Sequence, residues 1–168
     1  MRRTAQRARA ALLRAFLALV ILTVVLVVPL RWIDPATSSF MLQHEVASLV
    51  GRSETPGPRH EWVDWEAIAP AVPLAVVAAE DQRFPRHSGF DLVEIGNAWE
   101  AFRSGGRLRG ASTISQQVAK NLFLWRGRDW VRKGFEAWFT LAIELAWPKR
   151  RILEIYLNIA QFGPDTYG

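Results

Sequence analysis

The sequence contains no cysteine among its 168 residues. This absence excludes a disulfide framework and any metal site built on thiolates, and it carries no information about the compartment. Internal repeats and low-complexity segments are also missing, and the length allows one domain with a core and room for a tail. The missing residue types therefore leave a single-domain protein whose chemistry rests on oxygen and nitrogen side chains.

Acidic residues are absent from the first 31 positions, which hold six of the 21 Lys and Arg residues. The other 137 residues contain 15 basic and 16 acidic side chains, so the net charge of +5 originates at the N-terminus. A protein that binds nucleic acid through its folded domain would carry the surplus of positive charge on that domain. The charge distribution therefore argues against a nucleic-acid partner.

Charged residues are missing from positions 15–30 as well. Extending this run to position 10 gives a helix of about 31 Å, enough to cross a hydrocarbon core, if Arg14 directs its guanidinium to the headgroups. Four arginines precede the span and only Arg31 follows it closely, which predicts a cytoplasmic tail (1–9), a transmembrane helix (10–30) and an extracytoplasmic remainder. The alternative is a signal peptide cleaved near Ala36-Thr37-Ser38, which the length of the apolar run disfavours.

In the rest of the sequence the apolar residues recur at helical spacing, and no convincing strand-like alternation is found. We predict a juxtamembrane helix at about 36–50, which with an exposed linker at 51–61 forms a segment 31–61. Four of its apolar side chains are candidates for an interfacial contact with the outer leaflet, namely Ile33, Phe40, Met41 and Leu42.

Helix start and stop signals divide the segment 62–168, for which we predict an all-α domain. One helix opens near Pro73, and another begins at Asp91 and ends at Ser104-Gly105-Gly106. The later helices are predicted over 111–121, over 130–147 and after Pro148.

Glu80 ends an apolar run, AVVAA, and precedes the charged segment DQRFPRH. We expect the apolar wall to bury its carboxylate, a setting that suits a proton-transferring group. The plainer interpretation is an acid at a helix end that pairs with Arg83 or Arg86.

A glycine-rich segment, SGGRLRG, leads into a helix start that is rich in Ser and Thr, where free backbone N–H groups favour an anion such as phosphate. Gln116 and Lys120 lie one turn apart on the helix that follows, as do Gln117 and Asn121. With Ser112 at its entry, this donor-rich strip fits sugar hydroxyls and phosphate oxygens. A solvated helix face is the alternative.

Two further clusters lie near the C-terminus of the sequence. Arg132 and Glu136 are one turn apart, which is typical of a surface ion pair worth a few tenths of a kcal/mol. Glu154 and Asn158 align on a helix whose aliphatic residues pack, and we expect structural support from this pair.

Taken in order, these four clusters resemble the motifs of the peptidoglycan glycosyltransferases that polymerise lipid II, glycosyltransferase family 51. The matched residues are Glu80, Asp81, Phe84, His87 and Gly89, then positions 110–121, then Arg132, Lys133 and Glu136, and then positions 149–158. The segment RWIDPATSSFMLQ looks like the monofunctional branch of that family. The resemblance covers about 31–168, and the family's domain continues past the point that corresponds to Gly168, so we expect the C-terminal part to be missing.

The resemblance implies a lysozyme-like glycosyltransferase domain and an inverting transfer from a lipid-pyrophosphate donor to the 4-hydroxyl of an acceptor sugar. It implies that Glu80 is the general base and that Glu136 acts near the leaving pyrophosphate. The residues expected to bind substrate and phosphate are Ser112, Gln116, Gln117, Lys120, Asn121, Arg128, Arg132 and Lys133. The residues expected to support the site are Asp81, Phe84, His87, Glu154, Tyr156 and Asn158.

No protein metal site is expected, because His87 has no second ligand nearby in the sequence, and it is interpreted as structural. A divalent cation, Mg²⁺ or Mn²⁺, is expected only at the substrate diphosphate. The expected partners are lipid II, lipid-linked glycan, the bacterial inner membrane and other proteins of cell-wall synthesis or division. A lysozyme-like glycan-cleaving enzyme and a non-catalytic, membrane-tethered partner of the division apparatus are the two alternatives.

Overall fold

The computed structural model describes the backbone of residues 2–106 and 112–168, and the side chains from residue 5 onward within these ranges. In them the chain forms seven α-helices and two strands of two residues, which confirms the predicted all-α fold. The helices are α1 (Arg2–Val27), α2 (Ser39–Leu49), α3 (Ala71–Glu80), α4 (Leu92–Arg103), α5 (Ile114–Phe123), α6 (Trp130–Ala146) and α7 (Lys149–Ile159), and the strands are β1 (Arg59–His60) and β2 (Thr166–Tyr167).

The core lies where α5, α6 and α7 pack together. Ile114 and Val118 from α5, Ile143 from α6, and Ile152 and Ile155 from α7 are all completely buried. Each side chain of this size contributes about 1.5–3 kcal/mol when it is removed from water. The apolar positions of α5 therefore face the core, and Gln117 and Lys120 are the polar side chains of this helix that stay partly accessible.

The ends of the helices follow local signals. Asp91 accepts hydrogen bonds from the backbone N–H groups of Val93 and Glu94 and so begins α4, as predicted. Ser104 follows the end of α4 at the predicted stop, and α7 begins directly after Pro148. α5 begins at Ile114 rather than at the predicted position 111. The glycine-rich phosphate loop was predicted at 104–110, and the part of it at 107–110 lies outside the described residues, as does position 111.

The segment predicted to be an exposed linker contributes a strand. Arg59 and His60 pair in parallel with Thr166 and Tyr167, so β1 ties residues 59–60 to the last residues of the chain. Two-residue strands carry too little alternation to be found in a sequence, which is why this pairing was not predicted.

Among the described residues, one helical stretch is long and apolar enough to cross a membrane. It comprises α1 from Ala5 onward and the short 3-10 turn that follows, as far as Arg31, and little of it is buried. It is joined to the folded domain by one side chain of α6 and by one that directly follows α6. The indole of Trp138 donates to the Thr23 hydroxyl (2.8 Å), and the indole of Trp147 donates to the Val27 carbonyl (2.9 Å). The domain is thus in direct contact with the C-terminal half of α1.

The predicted interfacial contact of α2 is wrong for Met41. Its side chain is buried in the core, because α2 packs against α5 and turns this position inward. Phe40 is half-buried, with the Lys120 ammonium 5.6 Å from its ring centroid. Ile33 and Leu42 are exposed.

Candidate active site

The polar face of α5 connects the two acids singled out from the sequence. The Gln117 amide donates to Glu80 Oε2 (3.0 Å), which joins α5 to the last residue of α3. Lys120 lies one turn further along the same face, where its charge interacts with Glu136 of α6. We call Gln117 and Lys120 the α5 strip. One end of the strip contacts Glu80, and the charge at its other end interacts with Glu136.

Glu80 borders an open cleft of about 460 Å³. The cleft is formed by the last residues of α3 together with Asp91, Glu94, Ser112 and Thr113. The expectation that the AVVAA run buries the Glu80 carboxylate is wrong, because the residue is exposed. Val76 and Val77 of α3 pack partly against the core, and the residues next to Glu80, Ala78 and Ala79, are exposed, so no apolar wall covers the carboxylate.

Glu136 has the opposite environment. It is almost completely buried, its Oε2 accepts from Arg132 Nη1 (3.2 Å), and its Oε1 is bonded by the Lys133 ammonium. The surface ion pair expected from the spacing of Arg132 and Glu136 is therefore a buried one. A buried carboxylate needs such partners, because removing an unpaired charge from water is costly.

Burial lowers the pKa of Lys120 below its ordinary value, and the nearby charges of Arg132 and Lys133 act in the same direction. The carboxylate of Glu136 opposes them. Arg132 and Lys133 thus contact the Glu136 carboxylate, and Lys120 is close enough for its charge to interact with it. An anionic ligand placed here would stabilise the charged form of Lys120.

The other predicted binding residues differ in accessibility. Ser112 and Arg128 are exposed, and Ser112 lines the cleft. Gln116 is buried, and its Oε1 accepts from the backbone N–H of Thr113 (3.0 Å), so that oxygen closes a capping box at the start of α5. Asn121 is also buried, and its Oδ1 has no hydrogen-bond partner among the described residues.

The segment that follows Glu80 holds the start of α5 in place. Asp81 accepts from His87 Nε2 (2.9 Å) and from the backbone N–H of Ile114 (3.0 Å). Phe84 is buried, with the Lys149 ammonium 4.4 Å from its ring centroid. These residues couple the position of Glu80 to that of the α5 strip.

The expectation that His87 has no potential ligand nearby is wrong. Ligand atoms of Asp81, His87 and Asp91 lie within 4.8 Å of one another. The chain between Asp81 and Asp91 folds back, so that the three side chains meet. Arg83 already supplies a positive charge there, with Nε 3.2 Å from Asp91 Oδ2. The geometry is therefore that of a structural cluster held by hydrogen bonds and one ion pair.

The predicted supporting residues on α7 bond to the segment before α3. Glu154 accepts from the backbone N–H of Trp65 (3.0 Å), and Asn158 bonds both backbone groups of Val63 (2.7 and 2.9 Å). Tyr156 is buried. Its burial, reinforced by the negative charge of Glu80, raises the pKa of the phenol to about 12.

Sequence reasoning missed three residues that the structure brings to this region. Thr113 caps α5, and Glu144 joins Ser115 to Lys149 through its carboxylate. Arg126 lies close to Phe40, on which Lys120 also packs. The threonine had a recognisable signal, since a Thr followed three residues later by Gln is a capping-box pattern.

Comparison of the sequence with known proteins identifies the family of this chain. The family model described as Transglycosylase matches residues 46–168. The biosynthetic peptidoglycan transglycosylase of Xanthomonas campestris pv. campestris (strain B100) is 52% identical over 166 residues, covering 99% of this chain and 68% of that protein. The protein of the same name from Xylella fastidiosa (strain 9a5c) is 54% identical over 157 residues, covering 94% and 65%. The chain thus spans about two thirds of the length of these relatives, and it belongs to the transglycosylase family.

Proposed function

We propose that this chain is a peptidoglycan glycosyltransferase of cell-wall synthesis and that it polymerises lipid II by inverting transfer. The donor is a glycan on a lipid pyrophosphate, and the acceptor is the 4-hydroxyl of the next sugar. The observation that carries the proposal is the α5 strip, which connects an exposed carboxylate, Glu80, to a buried carboxylate among three cations, Glu136. Inversion requires a base on one side of the reacting carbon and charge stabilisation on the other.

Glu80 is the proposed general base. Its Oε2 is held by Gln117, and Oε1 has no protein partner among the described residues, so it is open to a hydroxyl in the cleft. It would accept the proton of the 4-hydroxyl as the oxygen bonds to the anomeric carbon. The bond from that carbon to the pyrophosphate oxygen breaks, and its electron pair leaves with the pyrophosphate.

The proposed leaving-group site is formed by Lys120, Arg132 and Lys133, with Arg128 and Ser112 as accessible additional donors. These cations would neutralise the charge that develops on the pyrophosphate. Glu136 orients Arg132 and Lys133 through its two oxygens. Its own charge is balanced by them, which removes the repulsion expected between a carboxylate and a phosphate.

The residues around Glu136 do not fit a resident metal ion, since both carboxylate oxygens already contact cationic side chains. We therefore place the proposed Mg²⁺ or Mn²⁺ on the substrate diphosphate. A chelator is expected to slow polymerisation without changing the Tm of the substrate-free protein, and a fall in that Tm would instead indicate a protein-bound metal.

The membrane placement of the site is also a proposal. The long apolar helix is consistent with anchoring, and the arginines before it favour a cytoplasmic N-terminus and a periplasmic domain at the inner membrane. On α6, which contacts α1, Trp130 and Leu145 are 91% and 88% exposed, so this side of the domain suits the lipid surface that holds the substrate. Proteins of cell-wall synthesis or division are proposed as partners from this location alone.

The decisive experiment compares Glu80→Gln with Glu100→Gln in a gel-resolved polymerisation assay on labelled lipid II. Loss of the base is expected to reduce glycan synthesis at least about 100-fold with an unchanged Tm, since general-base catalysis is worth about 10²–10⁴. Glu100 is an exposed glutamate of α4 outside the site, and its variant should match the wild type. Unchanged synthesis in Glu80→Gln would remove Glu80 from the mechanism.

The glycan-cleaving alternative is not favoured by the family match or by the names of the relatives. A glycan-cleaving enzyme would also have no use for a cluster of cations beside its second carboxylate. Incubation with finished sacculi is expected to release no fragments under conditions in which lipid II is polymerised.

A further inference from the structure

A second pocket, of about 200 Å³, adjoins α2. It is lined by residues of α2, by the segment after α2 and by the connection between α5 and α6. Its polar lining comprises His44, Arg52, Ser53, Thr55 and Arg126 together with Gln43. Neither the family motifs nor the proposed reaction uses this pocket.

The charge of the pocket is of one sign. It is lined by two guanidinium groups and by no carboxylate. Within the part of the chain that the structure describes, neither Arg52 nor Arg126 forms an ion pair with an acidic side chain. Glu54 is the nearest acid in sequence to Arg52, and it is exposed and does not line the pocket. Two like charges that share a space are stabilised by an anion between them.

Arg126 is held in position by neutral groups. Its Nη2 donates to Tyr167 Oη (2.7 Å) and to Gln161 Oε1 (3.3 Å), and its guanidinium lies 5.1 Å from the Phe40 ring centroid. Its backbone N–H donates to Gln43 Oε1 (2.7 Å). The guanidinium is therefore oriented before any ligand binds, while its charge stays uncompensated.

A chain of hydrogen bonds directs further donors to the same pocket. Tyr167 accepts from Arg126, which can only donate, so its own proton is available for His44 Nδ1 (3.2 Å). With Nδ1 assigned as the acceptor, the other ring nitrogen, Nε2, donates to Thr55 Oγ1 (3.0 Å), which leaves the Thr55 hydroxyl to donate to Ser53 Oγ (3.1 Å). Ser53 Oγ also accepts from the Thr55 backbone N–H (3.3 Å), so the Ser53 proton is free to point into the pocket.

We propose that this pocket binds a phosphate-class anion, supplied either as free phosphate or as the phosphate of an anionic lipid headgroup. Two guanidinium groups and a hydroxyl supply donors from several sides, which suits a group with oxygens in several directions. The pocket is too small for a sugar–pyrophosphate, and its volume suits a single phosphate group. Phe40 is contacted by both Arg126 and Lys120, so the bound anion would adjoin the α5 strip without being part of it.

The test uses the full chain in a neutral detergent and compares Arg52→Gln with Arg86→Gln. Both arginines are exposed, so neither change should prevent folding, and Arg86 lies outside the pocket. The Tm is followed as inorganic phosphate replaces chloride at constant ionic strength. Loss of one guanidinium is expected to weaken phosphate binding about tenfold or more, so the phosphate-dependent rise in Tm is smaller in Arg52→Gln than in the wild type and in Arg86→Gln.

A second arm places the three proteins in nanodiscs of phosphatidylglycerol or of phosphatidylcholine. A Tm increase from phosphatidylglycerol that Arg52→Gln loses and Arg86→Gln keeps would assign the anion to a lipid headgroup. An effect in the phosphate arm alone would assign it to a free anion. The proposal is overturned if Arg52→Gln and Arg86→Gln behave alike in both arms. Because Glu80 is intact in all three proteins, this outcome is independent of the polymerisation test.

Discussion

At the scale of single residues, Tyr156 reports on the charge of Glu80. Burial and the Glu80 carboxylate raise the pKa of this phenol to about 12. Below pH 10 the phenol is neutral in both the folded and the unfolded chain. Between pH 10 and 12 it ionises only in the unfolded chain, so the folded state loses stability across that window.

We expect an ultraviolet titration of the folded protein to show phenolate formation at about pH 12 that Tyr156→Phe removes. Tyr167, the other tyrosine, also has a raised pKa through burial, so the variant is needed to separate the two. Glu80→Gln should move the Tyr156 transition to lower pH, because one of its two causes is removed. A Tyr156 transition that Glu80→Gln does not move would show that the two side chains are not neighbours.

At the scale of elements, the start of α5 is determined by Thr113. Its hydroxyl accepts from the Gln116 backbone N–H (3.2 Å) and donates to the buried Gly89 carbonyl (2.7 Å). Thr113→Ala removes the cap and leaves this carbonyl without its partner, so we expect a loss of about 1–3 kcal/mol in the free energy of unfolding.

Because α5 carries Gln117 and Lys120, glycan synthesis should fall together with stability in Thr113→Ala. Thr113→Ser keeps the hydroxyl and serves as the control, with near wild-type stability in denaturant unfolding. Equal destabilisation by Ala and Ser would indicate that the methyl group, and not the cap, is what matters.

At the scale of the whole molecule, the apolar helix and the domain form one packed unit. Besides the two indole bonds, Arg151 donates to the carbonyls of Leu30 and Ile33 (both 2.9 Å). This attachment would hold the cleft at a defined height and orientation relative to a lipid-linked substrate, which a flexible tether would not.

A double-mutant cycle of Thr23→Val and Trp138→Phe measures this attachment. For a hydrogen bond of this kind we expect a coupling of about 0.6–1.7 kcal/mol in the unfolding free energy of the detergent-solubilised protein. Additive effects of the two substitutions would mean that α1 and α6 do not pack through this pair in solution.

The sequence alone predicts the features that depend on interactions between residues close in sequence. Asp91 begins a helix and Pro148 precedes one because caps and prolines act within a few residues. Apolar spacing likewise predicts the helix after Trp130, and the arginine-flanked apolar run predicts the first helix. The order of the four motifs predicts the family, which the comparisons confirm.

Burial and pairing were decided only by the tertiary structure, since they depend on residues distant in sequence. Glu80 is exposed although it follows an apolar run, and Glu136 is buried although its spacing from Arg132 is typical of a surface ion pair. Packing against other elements determines which side of a helix is in contact with water. Gln117 reaches Glu80 across 37 positions, and Gln43 reaches Arg126 across 83. Periodicity and spacing carry no information about such contacts, whose energies depend on distance in space.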